Sequence, residues 1–294
     1  MTRQILSLIL LIGLSLLLLV LYNLVPTPNS VEQQVTITQL PHKWVGNILA
    51  FPEEELSGIT YHPKRKTLFT INDEGGLSEY LTDGRVVRQA MINSDDLEGL
   101  TVDPISGLLY AVVEGRDTIL EISPKDFKIQ YEFRIDRDFE GRELLKKGGM
   151  GLEAITFVVD KNHAEGGTFW VGNQSFSLKP NKEPSIVCQI EVPIKTRQQQ
   201  QKKGIIKKMK GKIVKFFPLD IIDVSGLMFD QNRKRLLVLS DTTNLLLEMS
   251  LNGEIWRRYL LAGEDQEGIT LDHMGFLYFA QENGQIIKLE DRRE

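Results

Sequence analysis

From residue 35 onward short apolar runs alternate with turn residues, and the runs return as a unit. One copy reads Asp96-Leu97-Glu98-Gly99-Leu100-Thr101-Val102-Asp103. Related strings are Glu55-Leu56-Ser57-Gly58-Ile59-Thr60-Tyr61, Gly151-Leu152-Glu153-Ala154-Ile155-Thr156-Phe157, Asp223-Val224-Ser225-Gly226-Leu227-Met228-Phe229 and Asp265-Gln266-Glu267-Gly268-Ile269-Thr270-Leu271. Anchored on Ser57, Glu98, Glu153, Ser225 and Glu267, the copies lie 41, 55, 72 and 42 residues apart. A β-propeller blade takes about 40–50 residues, so two intervals hold one blade each and the longer two hold a blade plus an insertion.

Each copy opens the rhythm of a four-stranded antiparallel sheet. In the second, apolar strands are predicted at residues 97–102, 108–113, 118–122 and 131–135, with Asp103-Pro104-Ile105-Ser106-Gly107 as the first turn. Asn252-Gly253 predicts a type I′ hairpin between strands three and four of the fourth copy, with Asp83-Gly84 in the matching place of the first. The last copy holds three strands, at residues 269–271, 276–280 and 286–289; residues 44–51, offset before Ser57 as 85–92 are before Glu98, supply the missing outer strand. Such closure ties the two ends together and removes a sheet edge. Residues 35–40 add a further short strand. The pattern therefore predicts an all-β, five-bladed propeller over residues 35–294, a degenerate sixth blade inside the 72-residue interval being the alternative. Residues 195–215, with nine Lys or Arg and a Gln198 to Gln201 run, read as a basic loop or extended hairpin, and 138–149 as the surplus of the second copy. The basic stretch suits solvent, or anionic headgroups at about 1 kcal/mol per basic residue.

The amino-terminal pattern differs. Residues 5–25 are uncharged and apolar, about the 20 residues needed to span a bilayer. Arg3 before them puts the amino terminus in the cytoplasm by the positive-inside tendency. The run exceeds the roughly 7–15 residues of a signal-peptide core and no small-x-small cleavage site follows, so residues 1–25 read as an uncleaved signal-anchor and 26–34 as a linker. The expected location is the inner membrane, single-pass, with the propeller in the periplasm. A net charge of −5 over 294 residues gives no sign of a nucleic-acid partner. Cys188 is the single cysteine, which excludes an internal disulfide.

Chemistry is expected where the copies converge. In a propeller the start of the first strand and the end of the second lie together beside the axis, so two columns meet. The first is Ser57, Glu98, Glu153, Ser225 and Glu267; the second is Asp73, Glu114 and Asp241, completed by Asn173 or Gln174 and by Glu282 or Asn283. Like charges held round one channel raise pKa values or recruit a cation. Ca²⁺ takes six to eight oxygen ligands in flexible geometry, and Gly58, Gly99, Gly226 and Gly268 allow close backbone approach near the axis. An architectural role, the anchors capping strand starts by hydrogen bonding to neighbouring backbone N–H groups, is the competing reading of the same column. His62 and His273 fall in turns at the opposite face, and His42 and His163 in connecting segments, which gives little support to zinc or a Ser-His-Asp triad. Tyr61, Phe69, Phe157, Phe169, Phe229, Phe276 and Tyr278 read as packing between blades.

The Leu-Ser-Gly-Ile-Thr and Leu-Glu-Gly-Leu-Thr strings, with Leu68-Phe69-Thr70-Ile71-Asn72-Asp73-Glu74 and the apolar amino terminus, resemble the SdiA-regulated, YjiK-type β-propeller family of bacterial envelope proteins across about residues 40–290. The resemblance implies a periplasm-facing propeller with a calcium site and a distant relation to phytase-like propellers, but no known reaction. The basic insertion departs from the family pattern. Two function classes follow. One is a membrane-anchored, calcium-associated binding or signalling module with a small-molecule or protein ligand. The other is a phytase-like or lactonase-like metal-dependent hydrolase, which needs a general base near neutrality. Binding ranks above catalysis, because Arg116 is the single basic residue flanking the second column.

Overall fold

In the computed structural model, residues 35–50, 55–92, 96–146, 150–179, 183–202 and 209–294 are described. The expected signal-anchor at 1–25 and linker at 26–34 lie outside them. Among the described residues no helix is long and apolar enough to cross a membrane.

The described chain begins with two strands that serve later sheets, β1 (Ile37–Gln39) and β2 (His42–Ala50). A first antiparallel set follows: β3 (Leu56–His62), β4 (Thr67–Asn72), β5 (Gly76–Leu81) and β6 (Val86–Met91). The second is β7 (Leu97–Val102), β8 (Leu109–Val113), β9 (Thr118–Ile122) and β10 (Ile129–Ile135). After a two-residue pair, β11 (Asp138–Phe139) with β12 (Arg142–Glu143), comes the third: β13 (Leu152–Val159), β14 (Gly167–Asn173), β15 (Ile186–Glu191) and β16 (Lys210–Pro218). A nine-residue helix, α1 (Ile194–Lys202), interrupts it before β16. The fourth set is β17 (Val224–Asp230), β18 (Arg235–Ser240), β19 (Leu245–Met249) and β20 (Ile255–Leu260). The fifth is β21 (Gln266–Leu271), β22 (Phe276–Gln281) and β23 (Gln285–Asp291).

Strand β2 completes the fifth set, in the order β2-β23-β22-β21, with Trp44 opposite Leu289. β1 adds to the fourth, parallel to β20. First strands touch in a closed cycle: β3 with β7, β7 with β13, β13 with β17, β17 with β21, and β21 with β3. Each contact between sets holds its own apolar cluster, because successive strand residues face opposite sides. On β4, Phe69 and Ile71 pack toward the second set with Leu97 and Leu109, while Leu68 packs toward the fifth with Tyr278 and Ile286. The aromatic residues named above all pack in or against these clusters. The architecture is all-β and propeller-like.

Two expectations need correction. Within 195–215, the residues that are described are a helix up to Lys202 and a strand from Lys210, not a plain loop. Glu165 accepts the Lys195 and Thr196 N–H groups at 2.6 and 3.0 Å and so caps α1, and Arg197 reaches from the helix to the buried carboxylate of Glu121 on β9. From Lys210 the stretch is part of β16, outer strand of the third set, which pairs antiparallel with β15 and in parallel with β10 and joins two sets into one eight-stranded sheet. The second correction concerns turn type. At Asp83-Gly84 and Asn252-Gly253 hairpins form as expected, but positive φ is confined to the glycine, +91° at Gly84 and +87° at Gly253. Gly253 N–H bonds Ser250 O and Ser250 N–H bonds Glu254 O, with a register shift at Glu248/Met249. That is a wider loop closed by a left-handed glycine and a bulge, not a two-residue I′ turn.

Candidate functional site: an acidic channel mouth

The anchor is the second residue of each first strand, and in every set the ladder slips there. Shifts fall between Leu56/Gly58, Leu97/Leu100, Leu152/Ala154, Val224/Gly226 and Gln266/Gly268. A bulge places an extra residue outside the pairing and re-aims its side chain. The glycine after the anchor answers the crowding of neighbouring first strands. A Cβ on Gly99 would lie 2.7 Å from the Glu153 carbonyl oxygen, and one on Gly58 2.8 Å from that of Glu98. Threonines of the repeat link the sets sideways: Thr270 Oγ1 accepts Tyr61 N–H at 2.9 Å, Thr101 accepts Phe157 N–H at 3.2 Å, and Thr156 accepts Phe229 N–H at 3.0 Å.

The residue two before the anchor fixes the second column. Asp96, Gly151, Asp223 and Asp265 all have positive φ, and their carbonyls accept the N–H of Glu114, Gln174, Asp241 and Glu282 at 2.9, 3.3, 3.2 and 2.9 Å. Gln174 and Glu282 are therefore the members that stood open. Asn173 is instead bound within its own set, to Ile186 N–H and Pro184 O.

A cavity of about 240 Å³ opens at this end, lined by Glu55, Leu56, Ser57, Asp73, Glu98, Glu114, Glu153, Gln174, Glu267 and Glu282. No Lys, Arg or His is among those residues. Seven of the nine residues expected from the sequence line it; Ser225 and Asp241 do not. Ser225 is buried and its hydroxyl donates to Gln266 O at 2.7 Å, as that of Ser57 donates to Leu97 O at 2.5 Å, so both serines bond a carbonyl of the neighbouring first strand and not the backbone N–H groups that strand capping would use. Asp241 lies within electrostatic reach of Asp223, Asp265 and Glu282. Glu55 and Gln174 complete the lining; Glu55 was missed because it stands in neither column, and the signal that could have found it is its place two before Ser57, where the other strings carry Asp96, Asp223 and Asp265.

The electrostatics follow from burial of like charges. Burial first, then Asp73, Glu114 and Glu267, push Glu98 up to about 9, against a hydrogen bond with Glu153 that acts downward. Burial, then Glu98, hold Glu153 well above the carboxylate range. Glu267 is pushed up to about 8 by burial and Asp241, and Asp241 to about 6 by burial and Asp223. Asp73, Glu114 and Glu282 are raised for the same first reason. Glu153 is 6% exposed, and its Oε2 is buried without a hydrogen-bond partner. The donor set is oxygen-rich, as Ca²⁺ requires. Among the described residues, however, no group of three or more His, Cys, Asp or Glu stands close enough together to hold a metal ion. The carboxylates share a mouth without forming a chelate.

A family model described as SdiA-regulated matches residues 45–287. Among solved structures, the glutaminyl cyclase of Myxococcus xanthus is similar, with a TM-score of 0.59 over 86% of this chain and 97% of that one, at 10% identity. At that identity the likeness shows the fold alone.

Proposed function

The chain belongs to the SdiA-regulated family, and from that premise we propose that it is a five-bladed binding propeller whose acidic channel mouth captures a cation. Five four-stranded sets, five interlocked first strands and five bulged anchors support the blade count. The observation that carries the binding role is Glu153. Its unpartnered, buried carboxylate oxygen belongs to a cavity whose lining has seven carboxylates and no basic side chain. Leaving a buried acceptor unpaired is costly, and a cation at the mouth relieves both that cost and the mutual repulsion. The uncharged run at residues 5–25 supports attachment of the propeller to the inner membrane with the mouth outside the cytoplasm. Binding stands above phosphate-ester hydrolysis, because an anionic phosphate substrate finds no cationic side chain among the lining residues.

Ca²⁺ is the first ion to test, since it accepts water among its ligands and is plentiful outside the cytoplasm. Metal analysis and melting of the purified chain test the reading. At a free ion concentration about 100 times the dissociation constant, binding stabilises the fold by about 2.7 kcal/mol, and E153Q reduces the shift. Melting that responds to no cation, in either variant, defeats the reading.

A further inference from the structure

The mouth is poorly matched to a bare ion and better matched to something larger. Its volume of about 240 Å³ is well above the roughly 10–15 Å³ that a cavity needs on the same measure to hold one water. Its carboxylates do not gather into a metal-holding group among the described residues. They are spread round the cavity, with Glu153 carrying the one side-chain oxygen of the lining that is both buried and unpartnered.

A second feature sits on the same sector. Met150, Phe176 and Leu178 are 41%, 54% and 51% exposed, large apolar side chains left in water. All three lie on connections at the mouth end of the third set, the one that carries Glu153. Met150 precedes Gly151, where a Cβ would stand 2.6 Å from Cγ of Glu114. Phe176 and Leu178 follow Gln174, a lining residue, on a segment held by Ser175 Oγ bonding Glu183 O at 2.6 Å and by Asp223 N–H bonding Ser175 O at 2.8 Å. The other exposed apolar residues lie on outer strands, such as Trp44 and Val87, or in the turns at the far face, such as Ile105 and Met274. These side chains are not in the lining, but they stand on the connections next to Gly151 and Gln174 and offer beside an acidic cavity the apolar surface that supplies affinity in small-molecule sites.

We propose that the mouth selects an organic ammonium with an apolar body, its charged head against Glu153 and its apolar part over Met150, Phe176 and Leu178. This rests on the cation-binding reading and narrows it. An ammonium brings three N–H donors to a site rich in carboxyl oxygens, and once it displaces the proton from Glu153 its bonds to the ionised carboxylate are of the stronger class. A metal ion would leave that apolar surface unused.

Isothermal titration of the full-length chain in lipid nanodiscs, with empty nanodiscs as the blank, tests this with four probes: phenethylammonium, ethylammonium, neutral 2-phenylethanol and Ca²⁺. Phenethylammonium is expected to bind at least about tenfold more tightly than ethylammonium or 2-phenylethanol, a step that burying part of one ring supplies. E153Q should weaken both ammonium probes about tenfold. The surface variant F176S/L178S should bring phenethylammonium to the level of ethylammonium and leave ethylammonium unchanged. Equal affinity of the two ammonium probes, or phenethylammonium binding untouched by both variants, overturns the proposal. If Ca²⁺ binds and the ammonium probes do not, the narrowing fails while the cation reading stands. If no cation of either kind binds, both fail.

Discussion

Glu98, Glu153 and Glu267 are placed by a bulge, and the consequence is a set of carboxyl groups that hold protons well above their ordinary range. In the unfolded chain such groups titrate near 4.3; in the fold Glu98 and Glu267 titrate at about 9 and about 8. Between those limits the folded chain binds protons that the unfolded chain has released, so stability falls as pH rises. The contribution is complete below about pH 4 and is lost as pH passes the folded values. With a chelator present, melting temperature should decline from about pH 5 to about pH 9, and E98Q/E267Q should flatten the decline. The same variant should melt higher than the parent near the alkaline end, where two repelling charges are gone. A pH profile unchanged by the substitutions would mean these carboxylates are solvated. The anchor column was legible because the motif returns at blade spacing. The bulge was not, because a slip in register exists only between paired strands, and the sequence does not show which residue faces which. Ser225 was read as a site residue on position alone; its hydroxyl is taken by Gln266 O.

At the scale of elements, β2 shows how much of the closure was readable and why β16 was not. The offset of residues 44–51 before Ser57 matched 85–92 before Glu98, and β2 does pair with β23. Strand β16 also carries a strand pattern at its start, Lys210 and Lys212 exposed with Gly211 and Ile213 buried between them. The density of lysine hid that alternation, and the partner that makes it a strand, β15, lies beyond an intervening helix. Hairpin sites were legible from Asp83-Gly84 and Asn252-Gly253, but turn type depended on loop length, which composition does not set. Deleting residues 31–52 removes β1 and β2 and exposes β23 as an edge. Urea unfolding of that variant should lose its single cooperative transition; an unchanged midpoint and slope would show that closure by β2 contributes nothing.

For the whole molecule, the cycle of first strands explains why no disulfide is needed: five apolar clusters each bridge two sets, so no set stands alone. Cys188 lies in one of them, fully buried, with its thiol pushed up by desolvation. Attachment to the membrane is argued from the sequence of residues 5–25, and intact mass of the chain recovered from the membrane fraction should match a protein beginning at Met1. A mature amino terminus near Pro26 in the soluble periplasmic fraction would replace the anchor by a cleaved signal. Fold class was legible from periodicity alone, whereas the make-up of the cavity was not, since it depends on distances between side chains brought together from four separate sets.

The central claim, that the mouth holds a cation against Glu153, is tested most directly by anomalous diffraction from crystals soaked in parallel in Rb⁺, in Tb³⁺ and in a brominated phenethylammonium. A peak at the mouth from at least one soak, beside Glu153 and between Glu98 and Glu267 where the ion itself scatters, that disappears in E153Q crystals is the result expected. Peaks confined to the outer surface, with the mouth empty in every soak, would contradict it.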